Sequence, residues 1–138
     1  MTDAPNHTGS SEPAKTLMVV DADILARMAI AEYLRDCGYK VIEVARGAEV
    51  RAVLSAGHPV DVLLIDMHLQ DGEDGFALTK SLRAEYPNLI IIRTVNTAKL
   101  ADKAAELCDD GPLEKPYHPQ ELLRRIQHLR QRQPQGEA

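Results

Sequence analysis

Four short apolar runs set the narrowest limits on how this chain can fold. They are "TLMVV" (16–20), "KVIEV" (40–44), "VLLI" (62–65) and "LIII" (89–92). Runs of four or five residues rich in Val, Ile and Leu suit strands covered on both faces in a parallel sheet. The intervals between them carry helical spacing. Ile24, Met28, Ala31 and Leu34 recur along one face before Gly38, and "AEVRAVLSAG" ends in a second glycine. "FALTKSLRAEYP" stops at Pro87, "TAKLADKAAEL" is periodic, and Pro119 opens "PQELLRRIQHLRQR" where a first helical turn tolerates it. A fifth, weaker strand is expected near "GPLE" (111–114), because the alternation of strand and helix requires one. The pattern predicts an α/β fold, a doubly wound five-stranded parallel sheet with helices on both faces.

At 138 residues the chain has the size of one domain with a real core. Residues 1–15 are polar and rich in Pro, Ser and Gly, and 132–138 resemble a frayed exit, so the folded domain is expected over 16–131. The formal charge of −5 argues against a nucleic-acid binder, and the basic last helix, with arginines 124, 125, 130 and 132, reads as a solvated or partner-facing stripe. No apolar run approaches the roughly 20 residues of a membrane span, and the N-terminus lacks the apolar core of a signal peptide. Cys37 and Cys108 stand apart, without metal-ligand spacing, and read as reduced thiols. A cytoplasmic protein is expected.

In a doubly wound sheet, ligands gather at the carboxyl ends of the strands. The residues there are Asp21 and Asp23, Asp66, Thr94 and Lys115. Carboxylates about 4 Å apart repel by roughly 4 kcal/mol at an effective dielectric near 20, so a cation should share the site. Oxygen ligands with no imidazole or thiolate cluster favour Mg²⁺, commonly held by one or two carboxylates with water and phosphate completing the shell. A lysine and a hydroxyl beside it suit phosphoryl oxygens, and a carboxylate can attack phosphorus. These residue types together describe a Mg²⁺-assisted phosphoryl acceptor.

"LMVVDADILARMAIAEYLRDCGY", "DVLLIDMHLQDGEDGF", "IIIRT" and "LEKPYHPQELL", in that order, resemble the receiver domain of bacterial response regulators, the CheY-like family. The resemblance covers residues 15–131 and implies strand order 2-1-3-4-5. It also implies that Asp66 accepts a phosphoryl group from a histidine kinase or histidine phosphotransfer protein, with Thr94 and Lys115 contacting that group. Asp21, Asp66 and the backbone carbonyl of His68 are implied as Mg²⁺ ligands. On this reading the chain is not an enzyme in the ordinary sense. It leaves no room for an output domain after residue 131 and signals through a protein partner, a homodimer or onward phosphotransfer, without nucleic acid or membrane. A degenerate receiver that binds partners without phosphorylation is the alternative.

The sequence departs from the family pattern at three places. Ala22 stands where a second consecutive acid is usual; Asp23 is the candidate replacement, against the plainer role of an N-cap for the helix at Ile24. Pro112 stands where an aromatic switch residue is frequent, leaving Tyr117 as a substitute or a static packing group. Val95, stiffer and bulkier than the usual small residue after the hydroxyl, is expected to crowd the approach to Asp66. The His68 side chain is expected to be solvated at the mouth of the site.

Overall fold

A computed structural model describes residues 15–69, 74–95 and 112–132. Five strands, β1 (Thr16–Val20), β2 (Lys40–Val44), β3 (Val62–Asp66), β4 (Ile90–Val95) and β5 (Leu113–Glu114), form one sheet of order β2-β1-β3-β4-β5. Every described pairing is parallel, with registers such as Val19↔Leu64 and Asp66↔Thr94. Four helices are described: α1 (Ile24–Asp36), α2 (Gly47–Ser55), α3 (Gly75–Glu85) and α4 (Pro119–Arg132). The helical stretch expected over 97–107 lies outside the described residues, as do the two tails.

Strand periodicity divides the core in two. Leu17, Val19, Val62, Leu64, Ile90 and Ile92 pack on one face with Ile30, Leu34, Leu122 and Ile126, from α1 and α4. Their neighbours Met18, Val20, Leu63, Ile65, Ile91 and Val95 pack on the other with Val50, Leu54, Leu78 and Leu82, from α2 and α3. Both faces of β1, β3 and β4 are therefore covered, which is why their sequences show no polar alternation. Gly38 (φ +100°) and Gly57 (φ +88°) end α1 and α2 in the left-handed conformation that other residues rarely adopt.

The switch in strand order falls between β1 and β3. The chain leaves β1 towards β2 on one side and later returns to β3 on the other, so a crevice opens where the two ends separate. Asp21 and Asp66 lie on its rim.

Candidate functional site

Asp66 is the last residue of β3 and is 6% exposed. The strand runs on briefly, with the Met67 N–H donating to the Thr94 carbonyl at 3.0 Å. Asp21, 8% exposed, follows β1 directly, its N–H bonded to the Val44 carbonyl at 3.2 Å. Lys115 follows β5, and its N–H meets the Val95 carbonyl at 2.6 Å. Three strand ends thus direct three charged groups into one crevice.

The Lys115 ammonium spans the two acids, with Nζ 2.7 Å from Asp21 Oδ2 and 2.9 Å from Asp66 Oδ2. The remaining oxygens are held alike. Asp21 Oδ1 accepts the Asp23 N–H and Asp66 Oδ1 accepts the His68 N–H, each at 2.9 Å and each two residues along the chain. Burial by itself would lower the Lys115 pKa. The hydrogen bonds to Asp21 and Asp66, with their charges, outweigh it and hold the group above its usual value. Two carboxylates and one ammonium leave the cluster one negative charge in excess, suited to a further cation or to the electropositive phosphorus of a phosphoryl donor.

The structure brings together Asp21, Asp66 and Lys115, with Thr94 in register beside Asp66 and 2% exposed. Asp23 lines the same groove as Asp21 and Lys115; it is exposed and caps α1, its Oδ1 accepting the Leu25 and Ala26 N–H groups at 3.0 and 3.3 Å. His68 is exposed. Tyr117 packs against the α1–α4 half of the core, and its phenol is pushed up to about 12, chiefly by burial, with the nearby Lys115 opposing and Asp21 and Asp66 adding to the shift. Val95 is fully buried in the core cluster that contains Met67 and Leu78.

Three residues near the site drew no notice in the sequence. Gly75 begins α3 so close to the segment after Asp66 that an added Cβ would lie 2.7 Å from the Met67 carbonyl oxygen. Arg27 of α1 donates through Nη1 to the Asp21 carbonyl at 2.8 Å. Arg93, 2% exposed in β4, donates from Nε to the Thr79 hydroxyl of α3 at 3.2 Å. The only local signal was a charge inside "IIIRTV"; the other two depend on which elements meet in space.

The donor set bears on whether Mg²⁺ would fit. Asp21 and Asp66 converge on one point, the Lys115 nitrogen, and offer hard oxygen ligands of the kind Mg²⁺ takes in ones and twos. Among the described residues no group of three or more Asp, Glu, His or Cys side chains forms a metal cage, and Asp23 does not complete one. The residues fit a partly hydrated cation held by two carboxylates.

Residues 17–127 match the family model of the response regulator receiver domain. The chain belongs to the response regulator receiver family. Among known proteins, this receiver is 36% identical over 117 residues to the regulatory protein VirG of Agrobacterium tumefaciens, covering 83% of this chain and 43% of VirG. It is 33% identical over 126 residues to the transcriptional regulatory protein GltR of Pseudomonas aeruginosa, covering 88% of this chain and 51% of GltR. The receiver thus spans about half the length of these relatives. Among solved structures, a response regulator receiver protein from Sinorhizobium medicae superposes with a TM-score of 0.76 at 25% identity, over 86% of this chain and 96% of that one. A CheY-like receiver domain from Methanospirillum hungatei gives 0.73 at 24%, over 84% and 93%. The sheet order expected from the sequence is the one observed. Among the described residues, no helix is long and apolar enough to cross a membrane.

Proposed function

We propose that this receiver accepts a phosphoryl group on Asp66 from a phosphohistidine of a histidine kinase or phosphotransfer protein. The signal then passes through a protein partner or by onward phosphotransfer. The observation that carries the reading is the Lys115 ammonium within 2.9 Å of both Asp66 and Asp21 at the end of adjacent strands. In the transfer, a carboxylate oxygen of Asp66 forms the new P–O bond as the P–N bond to the donor imidazole breaks. The electron pair of that bond returns to the ring nitrogen, the imidazole leaves neutral because its other nitrogen already carries a proton, and an aspartyl-phosphate results. Lys115 exchanges one of its carboxylate contacts for a phosphoryl oxygen, and the Thr94 hydroxyl is in register to donate to another.

Mg²⁺, when bound, would supply positive charge opposite the transferring oxygens, with Asp21, Asp66 and the His68 carbonyl as its protein ligands. Asp23 serves the site indirectly, through the α1 cap and the N–H that steadies Asp21. The docking side for the donor is the exposed face of α1. There Ile24, Leu25 and Met28 are 57%, 79% and 53% exposed beside a groove of about 600 Å³ that runs to Asp21 and Lys115. Uncovered apolar side chains next to a reactive carboxylate suit a transient protein partner.

Incubation with acetyl phosphate and Mg²⁺, read by intact-protein mass and by acid- and base-lability of the adduct, tests the proposal. One phosphoryl group on the wild type, none on Asp66→Asn and little in EDTA is the expected result. An unmodified wild type, with acetyl phosphate and with a panel of kinases alike, would favour the phosphorylation-independent module for which Ala22 speaks.

A further inference from the structure

We propose that Arg27 is a positioning residue, braced by Glu43, that fixes Asp21 for divalent-cation binding at the acceptor site; this rests on the phosphoacceptor reading above. Arg27 lies one turn into α1, and helical side chains lean back towards the N-terminus. That direction carries its Nη1 to the Asp21 carbonyl at 2.8 Å, while Nε reaches Glu43 Oε1 at 3.3 Å. Glu43 stands on β2 next to Val44, whose carbonyl takes the Asp21 N–H. Arg35, two turns further along α1, holds the other Glu43 oxygen at 3.1 Å and the Val41 carbonyl at 2.9 Å.

Both main-chain polar groups of Asp21 are therefore tied to β2, the N–H directly and the carbonyl through Arg27 and Glu43. The Arg27 side chain is only 16% exposed, so its planar fork is held in place. A lysine has one nitrogen and cannot occupy both contact points in that geometry. The brace matters here because of what the neighbouring positions lack. Ala22 offers no carboxylate and Oδ1 of the exposed Asp23 caps α1, so Asp21 is the buried acid that the end of β1 places against Lys115. A shift of the Asp21 main chain relative to β2 would move that carboxylate relative to Asp66.

The experiment follows the Asp21 and Asp23 amide resonances by ¹⁵N–¹H correlation as Mg²⁺ is added stepwise, in wild type, Arg27→Met, Arg27→Lys and Glu43→Gln. Arg27→Met is expected to weaken Mg²⁺ binding by about tenfold, the scale on which groups orienting a ligand act. Glu43→Gln should weaken it less, and Arg27→Lys should fall between wild type and Arg27→Met. With acetyl phosphate, the half-saturating Mg²⁺ should rise by the same factor while the rate at saturating Mg²⁺ stays within about twofold, a split that general destabilisation does not produce. Unchanged Mg²⁺ affinity in a folded Arg27→Met protein overturns the proposal, as does a wild type that binds no Mg²⁺. So does a fall in the saturating rate alone. If Arg27→Met does not fold, Glu43→Gln decides by the same two readouts. A wild type that binds Mg²⁺ but takes no phosphoryl group refutes the phosphoacceptor reading, while the Arg27 inference stands or falls on the binding data.

Discussion

β3 has an aspartate at each end, and the two could hardly be used more differently. Asp61, just before the strand, accepts the Thr16 N–H at 2.9 Å through Oδ2, while its own N–H and carbonyl join Thr16 and Ile90. It ties the starts of β1, β3 and β4 together. Asp66 instead keeps one oxygen for the nearby His68 N–H and gives the other to a cation from a different strand. A carboxylate bonded to backbone is consumed by the fold. A carboxylate paired with a side-chain ammonium can exchange that partner for another. The sequence shows the same residue type in both places; on the phosphoacceptor proposal, the partner marks which one reacts.

The sharpest way to break this contrast is at Asp66 itself. Asp66→Asn should abolish acetyl-phosphate labelling while the urea midpoint moves little, since the fold does not depend on that oxygen's charge. Lys115→Met ranks next: transfer to Asp66 should slow by at least about tenfold in a quenched time course, because the transition state loses a preorganised cation. Gly75→Ala should cost about 1–3 kcal/mol in urea denaturation, since the new methyl overlaps the Met67 carbonyl and one backbone must move. Because Met67 adjoins the acceptor, labelling should slow as well. Asp61→Ala is the smallest effect, about 1–2 kcal/mol of stability from an unpaired Thr16 N–H, with labelling unchanged. Were Asp61→Ala to impair labelling while leaving stability intact, the division between the two ends would collapse.

Most of the architecture was legible because it rests on short-range patterns. β1 and β2 fall on the residues their apolar runs marked, and β3 and β4 extend theirs by one to three residues at the end that reaches the site. That extension has a physical cause: Asp66, Arg93 and Thr94 are polar, so hydropathy closes the run early, yet parallel pairing to neighbours keeps them in the ladder. β5 is two residues long and had no local signal beyond the required alternation. At Asp23 the sequence offered two roles, and the helix cap is the one the local geometry displays. The burial of Val95 in the core follows from strand alternation, which the sequence reading of that residue did not use. Arg27 and Glu43 were invisible for a different reason. Their meeting requires α1 to lie over the β1–β2 edge, and nothing in either segment alone announces it.

Tyr117 gives the molecule an optical property of its own. The chain has no tryptophan, so its near-ultraviolet spectrum belongs to four tyrosines, and this one lies beside Lys115 in the field of Asp21 and Asp66. A change of charge in the crevice is therefore expected to perturb the absorbance of a native chromophore. A tyrosine difference spectrum recorded as Mg²⁺ or acetyl phosphate is added, without any attached dye, checks that expectation.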